Sequence, residues 1–387
     1  MPDDDATRPP ATTHAGGDDA TRPAATTHAR GGEAAPAASG GGNPAVVRAL
    51  TLNVMPPRFS VLDRSRTRQG QGHPEALRDT VAFAREIEAL GYHRFWVSEH
   101  HGVPGVAGSA PTVLAAAVAS ATSRIRVGTG GVMLPNHRPL VVAEQFGVLE
   151  SLFPGRIDMG LGRSLGFTGP VRRALGADKA DAERFREQVA ELLGYFAGDR
   201  PGVRVSPSEG LRVPAFVLAT GAGADHAAEL GLPLVIADVR GEDAMLRAIE
   251  RYRDRFRPSA STPAPYVVLS RTVAVAETTE RAYELLVSEA WAMAYSRTRG
   301  VFPALAPVDE VLSLEMTDRE RRLFQEAVRA DVHGTEDEVR AALTRLAERT
   351  GADEILVTTS TYDRGRMLDS YRRLASVAGL LSAPVGS

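Results

Sequence analysis

Three adjacent ionisable residues, Glu99, His100 and His101, follow the apolar run FWV at residues 95–97, with Ser98 between. A short aromatic and β-branched run favours a buried strand, and three ionisable groups cannot all be buried without partners. We therefore expect these side chains where a strand opens into a loop. Imidazoles that titrate near neutral pH suit acid–base chemistry, with His100 as the acid or base. A surface acid beside two structural histidines is the alternative interpretation.

Glycine-rich segments follow three other apolar runs, at residues 128–131 (GTGG), 160–166 (GLGRSLG) and 220–225 (TGAGAD). Glycine lets the backbone approach a flat or anionic ligand closely, although tight turns alone also require it. The spacing in GLGRSLG departs from the Rossmann pattern, so it is a weak signal for a nicotinamide cofactor.

A phosphate site is the second chemical feature that the residues indicate. Arg163 follows a predicted strand, where a guanidinium binds phosphate in bidentate fashion. The backbone N–H groups of TGAGAD and the Thr220 hydroxyl precede a short predicted helix, and a helix N-terminus favours the same anion. A structural ion pair is the alternative role for Arg163.

Eight apolar runs alternate with helical patterns and position these residues. The predicted strands are 59–62, 95–97, 125–127, 157–161, 215–219, 234–237, a segment within 267–275, and 355–358. Such alternation predicts a parallel sheet, and eight units predict an α/β fold of the TIM-type (β/α)8 barrel class. The strand ends of a barrel meet on one face, so the candidate residues should converge there. Residues 296–334, after strand seven, exceed ordinary loop lengths and are expected to form an insertion over the barrel mouth.

The N-terminal segment differs from the rest of the chain. DDATRP recurs after 14 residues, and residues 1–45 are rich in alanine, threonine, glycine and proline, which predicts a disordered tail before a barrel domain at 46–387. The chain has no cysteine, which excludes thiolate metal sites and disulfides. Its net charge is −3, and it has no long apolar run. These features favour a cytoplasmic protein without nucleic-acid or membrane partners, and no metal site is predicted in the barrel.

The core from about residue 58 to 380 resembles the bacterial luciferase-like, flavin-dependent monooxygenases. The resemblance rests on RFWVSEHH (94–101), the run 121–146, PGRIDMGLGRS (154–164), AAELGLP (227–233) and GADEILVTT (351–359). RSLGFTGPVRRALG (163–176) also resembles a subgroup that tailors aromatic polyketides. Apolar candidates for the substrate pocket are Phe59, Trp96, Met133, Phe167 and Trp291, each of which also suits ordinary core.

The resemblance implies a role for each candidate residue. Reduced FMN would lie across the strand ends near Glu99, His100, Gly130 and Gly131, with His100 catalytic, Glu99 and His101 beside it, and a cis peptide between the two glycines. Arg163 would bind the flavin phosphate. Ala219 and Thr220, with Gly221 in the following turn, match a segment where the family has two hydroxyls. Only the threonine supplies one here, and Gly162 stands where luciferases carry a reactive cysteine.

The implied reaction is a monooxygenation in which O2 adds to reduced FMN at C4a and the peroxyflavin oxygenates a small organic substrate. The FMN would be a dissociable co-substrate that a separate flavin reductase supplies. The sequence does not fix the oligomeric state, and a homodimer is compatible with it. The alternatives are an F420-dependent hydride-transfer enzyme of the same superfamily, a non-catalytic flavin-binding protein, and a nicotinamide-dependent dehydrogenase. The residues do not choose among hydroxylation, epoxidation and Baeyer–Villiger insertion.

Overall fold

Eight parallel strands form a closed barrel in a computed structural model that describes residues 57–381. The described residues contain eleven strands in all: β1 (Arg58–Asp63), β2 (Arg94–Val97), β3 (Arg126–Thr129), β4 (Val132–Met133), β5 (Ile157–Gly162), β6 (Ala215–Ala219), β7 (Leu234–Ile236), β8 (Val267–Arg271), β9 (Val273–Val275), β10 (Val332–Gly334) and β11 (Glu354–Val357). The order β3-β2-β1-β11-β8-β7-β6-β5 is closed by pairing of β3 with β5. The TIM-type (β/α)8 prediction is therefore confirmed.

Helices surround this barrel and carry its outer core. They are α1 (His73–Ala89), α2 (Pro111–Ala121), α3 (Pro139–Leu152), α4 (Gly169–Leu175), α5 (Lys179–Glu183), α6 (Phe185–Ala197), α7 (Gly223–Leu230), α8 (Glu242–Arg255), α9 (Thr279–Arg299), α10 (Val308–Leu312), α11 (Asp318–Ala330), α12 (Glu336–Thr350) and α13 (Arg364–Val377), with a 3-10 helix at Leu134–Asn136. Proline in the first turn starts α1, α2 and α3, where its missing N–H costs no hydrogen bond. None of the helices within 57–381 is both long and apolar enough to cross a bilayer.

The N-terminal half of the barrel interior is filled by a buried charge network. Arg94 on β2 contacts Asp158 on β5 at 2.7 Å and Glu354 on β11 at 3.1 Å. Ser60 and Tyr266 donate further hydrogen bonds to Glu354. Above this layer lie apolar side chains, among them Leu62, Trp96, Phe216, Val268 and Leu356. The interior is thus closed below, which leaves the C-terminal mouth as the place for a ligand.

The predicted insertion contacts loops at this mouth. Gly105, in the loop after β2, donates its N–H to Phe302, and Leu305 pairs with the loop after β1 through Thr67 and Gln69. Helices α10 and α11 pack against α9, and β10 pairs with β9. The sequence did not predict helix α10 or the division of strand seven into β8 and β9. It also did not predict α4 and α5, which lie in or at the end of the connection between residues 162 and 181. The tail predicted for residues 1–45 lies outside the described residues.

Candidate active site

A cavity of about 430 Å³ opens at the C-terminal ends of the strands. Its base is formed by interior side chains of β1, β6, β7, β8 and β11, and its wall by polar loop residues. The lining includes Leu62, Leu218, Val235, Ser270, Leu356, Arg163, Thr220 and Arg240. This volume lies in the range of cofactor and small-ligand pockets, which combine an apolar lining with a few convergent polar groups.

Gly130 and Gly131 lie next to side chains that form this base. The peptide between Gly130 and Gly131 is cis, as the family resemblance implied. A Cβ built at Gly130 would lie 2.8 Å from Leu62, and one at Gly131 would lie 2.8 Å from the Gly160 carbonyl oxygen. Any side chain here would collide with the cavity base or with β5. The packing of the barrel therefore requires glycine at both positions.

Three groups at one end of the cavity suit an anion. Arg163 after β5, Thr220 after β6 and Arg240 after β7 all line it. A Cβ built at Gly221 would lie 3.6 Å from a guanidinium nitrogen of Arg240, so this side chain lies over the same turn. Within residues 57–381 neither Arg163 nor Arg240 has a carboxylate at ion-pair distance, and the structural ion pair considered for Arg163 does not form.

The sequence did not single out Arg240, because one arginine four residues beyond the end of β7 has no distinctive pattern. The predicted residues Ala219, Thr220 and Gly221 are brought together with Arg163, as expected. Arg240 adds a donor to the segment that has only one of the two family hydroxyls. Two guanidinium groups with a hydroxyl form a reasonable phosphate site.

Glu99 is the centre of a second polar group, at the end of β2. Its side chain is fully buried, and Oε1 accepts hydrogen bonds from Nε2 of His101 at 2.7 Å and Nε2 of His137 at 2.9 Å. Oε2 accepts the Met133 amide at 3.0 Å. Burial alone would raise the pKa of Glu99, but the bonds from His137, His101 and Met133 outweigh it and hold the pKa below its ordinary value. The residue is therefore an anion that orients two imidazoles.

His100 lies in a different environment from its neighbour His101. Its Nδ1 is 3.2 Å from the Ser98 hydroxyl, and its backbone N–H donates to Gly108. Burial, followed by the nearby positive charges of Arg64 and Arg66, lowers the pKa of His100 to about 4. The expectation that His100 titrates near neutral pH is wrong for this structure. At neutral pH its ring is uncharged and offers one donor and one acceptor.

Both arginines near His100 are tied to a buried acid on α9. Glu289 contacts Arg64 at 3.0 Å and Arg66 at 3.1 Å, and Arg66 also donates to the carbonyls of Gly105 and Pro303. This ion-pair group joins the loop after β1, the loop after β2 and the insertion. The sequence did not indicate it, since Glu289 is 223 residues from Arg66.

The family model for luciferase-like monooxygenases matches residues 55–354. The chain belongs to this family. A luciferase-like monooxygenase of Escherichia coli is 37% identical over 317 residues, covering 81% of this chain and 94% of that protein. The protein YvbT of Bacillus subtilis is 39% identical over 327 residues, covering 82% and 96%. The crystal structure of apo-MsnO8 superposes with a TM-score of 0.75 and 32% identity, covering 84% of this chain and all of that one.

Membership in the luciferase-like monooxygenases makes this chain an oxidoreductase of the monooxygenase type. The mouth of its barrel brings Arg163, Ala219, Thr220 and Gly221 together around one cavity, and Gly130 and Gly131 lie against Leu62 and Leu218, which line it. Among the apolar candidates, Trp96 is buried beneath Gly130 and Phe59 lies in the outer core. Phe167, four residues after Arg163 in the sequence, is 55% exposed.

Proposed function

We propose that this protein is a flavin-dependent monooxygenase that uses reduced FMN and O2 to oxygenate a small organic substrate. The observation that carries the proposal is the cavity at the barrel mouth, which is lined at one end by Arg163, Arg240 and Thr220. Within residues 57–381 neither of these arginines pairs with a carboxylate. A flat ring with a phosphate tail has the shape and charge that such a cavity accepts. The family membership supports the same reaction class.

The residues fit FMN in two regions. Arg163, Arg240 and Thr220 would hold the phosphate, and each charged hydrogen bond to it contributes roughly 1.5–3 kcal/mol. Gly130 and Gly131 would lie beneath the ring, as the family resemblance implies, at two positions where the packing of the barrel admits no Cβ. When bound, the reduced flavin would supply the activation of O2, and the protein would supply orientation and exclusion of water.

The histidines would then act on protons near the ring. His100 is buried and neutral, so it can accept a proton or donate a hydrogen bond without first losing charge. Glu99 fixes the His101 and His137 rings through Nε2, and an oriented imidazole loses less freedom when it engages a substrate. We assign His100 as the catalytic acid–base and Glu99 and His101 as its neighbours in the catalytic set.

The substrate class proposed is a planar aromatic polyketide. The support is the resemblance of residues 163–176 to the tailoring subgroup. In the structure this segment continues from β5 into α4 and carries the exposed ring of Phe167. Phe167 follows Ser164, which lines the cavity, by three residues, and an exposed aromatic ring offers an apolar contact for a planar molecule.

Two partners belong to the proposal. A separate flavin reductase would supply reduced FMN, since the glycine-rich loops are used by one flavin and no dinucleotide-spaced unit is left for NAD(P)H. A second copy of the chain would pair through α2 and α3, which contact each other and expose Val113, Val148 and Leu152 by 69%, 48% and 63%. Such neighbouring apolar faces can pair with their own copies about a two-fold axis.

The deciding experiment compares ligands that differ in the phosphate or the ring. Arg163→Ala and Arg240→Ala should each weaken FMN by about ten- to a hundred-fold and leave riboflavin, which has no phosphate, within a few fold. Arg212→Ala is the matched control, because this exposed arginine precedes β6 at the opposite end of the barrel. Binding is followed by flavin fluorescence and, for reduced flavin, anaerobically.

Other results would overturn parts of the proposal. Equal weakening of FMN and riboflavin would remove the phosphate assignment. Binding of F420 but not FMN would favour hydride transfer, and flavin binding without oxygenation of any aromatic substrate by reductase-supplied FMN would favour a binding protein. Oxidation of NADPH or NADH by the pure protein alone would revive the dehydrogenase alternative.

A further inference from the structure

Glu99, His101 and His137 have the composition of a metal-binding triad. Their candidate ligand atoms, two imidazole nitrogens and a carboxylate oxygen, all lie within 4.8 Å of one another. Two histidines and one carboxylate bind Zn²⁺ and related ions in other proteins, where the fourth position is open. We propose that these three side chains form a binding site for one divalent transition-metal ion, with Zn²⁺ as its representative.

The carboxylate lacks a permanent cation. Within residues 57–381, the basic groups at ion-pair distance from Glu99 are the two imidazoles, and no arginine or lysine contacts it. A fully buried carboxylate is costly unless paired or bound to a metal. The Met133 amide and Nε2 of His137 contact Oε2 of Glu99, while Oε1 is shared between the two rings. A divalent ion would give this acid a stronger counter-charge than the two imidazoles.

The distances require little rearrangement. The Nε2 atoms of His101 and His137 lie 2.7 Å and 2.9 Å from Oε1 of Glu99. Neighbouring ligand atoms of a tetrahedral zinc ion are roughly 3.3 Å apart, so each contact must lengthen by about half an ångström. To bind the ion, each Nε2 must give up its hydrogen bond to Glu99, and its proton moves to Nδ1 or is released, while Glu99 stays on the Met133 amide.

An ion can reach the triad from solvent. The side chains of His101 and His137 are 19% and 30% exposed, whereas Glu99 is covered. The partly exposed side gives both an entry path and room for a water molecule as the fourth ligand. The site does not depend on flavin, so its occupancy can be measured on the protein alone.

The test is Zn²⁺ titration by calorimetry, with Co²⁺ absorption in the visible as a second readout of coordination. The parent is the full chain carrying His14→Ala and His28→Ala, because the N-terminal segment has these two further imidazoles. We expect one equivalent of Zn²⁺ and a distorted-tetrahedral Co²⁺ spectrum. His137→Ala should weaken binding at least about tenfold. His73→Ala, an exposed histidine on α1, is the matched control and should leave binding unchanged.

His137→Gln protects the test against a folding defect, because its amide still donates to Glu99 but is a poor zinc ligand. Circular dichroism of each variant establishes that it is folded. Absence of saturable Zn²⁺ binding in the parent would overturn the site and leave a hydrogen-bonded triad only. Equal binding by the parent and the folded His137→Gln variant, or loss of binding in His73→Ala, would also overturn it by placing the ion elsewhere.

Discussion

Asp331 has a carboxyl group whose pKa is strongly raised by its surroundings in the folded protein. It lies between α11 and β10, close to Thr272, Glu289, Arg64 and Asp238. Burial raises the pKa of Asp331 from 3.8 to about 7; the negative charges of Glu289 and Asp238 add to the rise, while Thr272 and Arg64 partly oppose it. Asp238 is itself paired with Arg271 at 2.5 Å, so that arginine is already engaged. The carboxyl therefore keeps its proton in the folded protein over much of the acidic range.

The effect on stability has a definite sign. Below about pH 3.8 the carboxyl is protonated in both the folded and unfolded states, and contributes nothing to the pH dependence. As pH rises towards 7 the unfolded state loses the proton first, so the free energy of unfolding falls by about 1.4 kcal/mol per pH unit. Above the folded pKa the loss levels off, at about 4 kcal/mol at most.

Asp331→Asn removes this titration but keeps an oxygen that can accept a hydrogen bond from Thr272. We expect the variant to be more stable than the parent, with an advantage that grows by about 2–3 kcal/mol between pH 5 and pH 8. Urea denaturation followed by circular dichroism at several pH values measures this difference. Asp254→Asn, an exposed carboxylate on α8, is the control and should change stability by less than about 0.5 kcal/mol.

Two outcomes would refute the reasoning. If Asp331→Asn stabilised the protein equally at every pH, the gain would come from packing rather than from the buried acid. If the variant were less stable than the parent at pH 8, Asp331 would be an ionised partner of Arg64. Either result would remove the assignment of Asp331 as a protonated group.

Two further predictions concern the barrel base and the proposed dimer. Arg94→Met should lower the free energy of unfolding by about 3–5 kcal/mol, because Glu354 loses the arginine it pairs with and Asp158 is left with Arg126; Arg186→Met at an exposed ion pair should cost less than about 1 kcal/mol in the same urea assay. A small loss for Arg94→Met would contradict the importance of the buried network. Leu152→Asp should convert the dimer to a monomer in light scattering, whereas Leu312→Asp on α10 should not. A monomeric parent would rule out the dimer.

Much of the architecture could be read from the chain because it is encoded locally. The apolar runs gave eight strands at nearly the observed positions, and α2 and α3 begin at Pro111 and Pro139, where a first-turn proline is favoured. A strand end is also the place where a parallel barrel collects ligands. For this reason the sequence alone assigned Arg163 and Thr220 to one site, and both line the same cavity.

The partners of these residues were decided by the tertiary structure. His137 is 38 residues from the Glu99 carboxylate it contacts, and Arg94 is 260 residues from Glu354. Local patterns carry the period of a strand or helix, but they do not state which side chain will face another across a closed barrel. The neutral state of His100 has the same origin, because burial and two arginines from another loop lower its pKa to about 4. Sequence determined where the chemical groups stand along the chain, and packing determined their neighbours and charge.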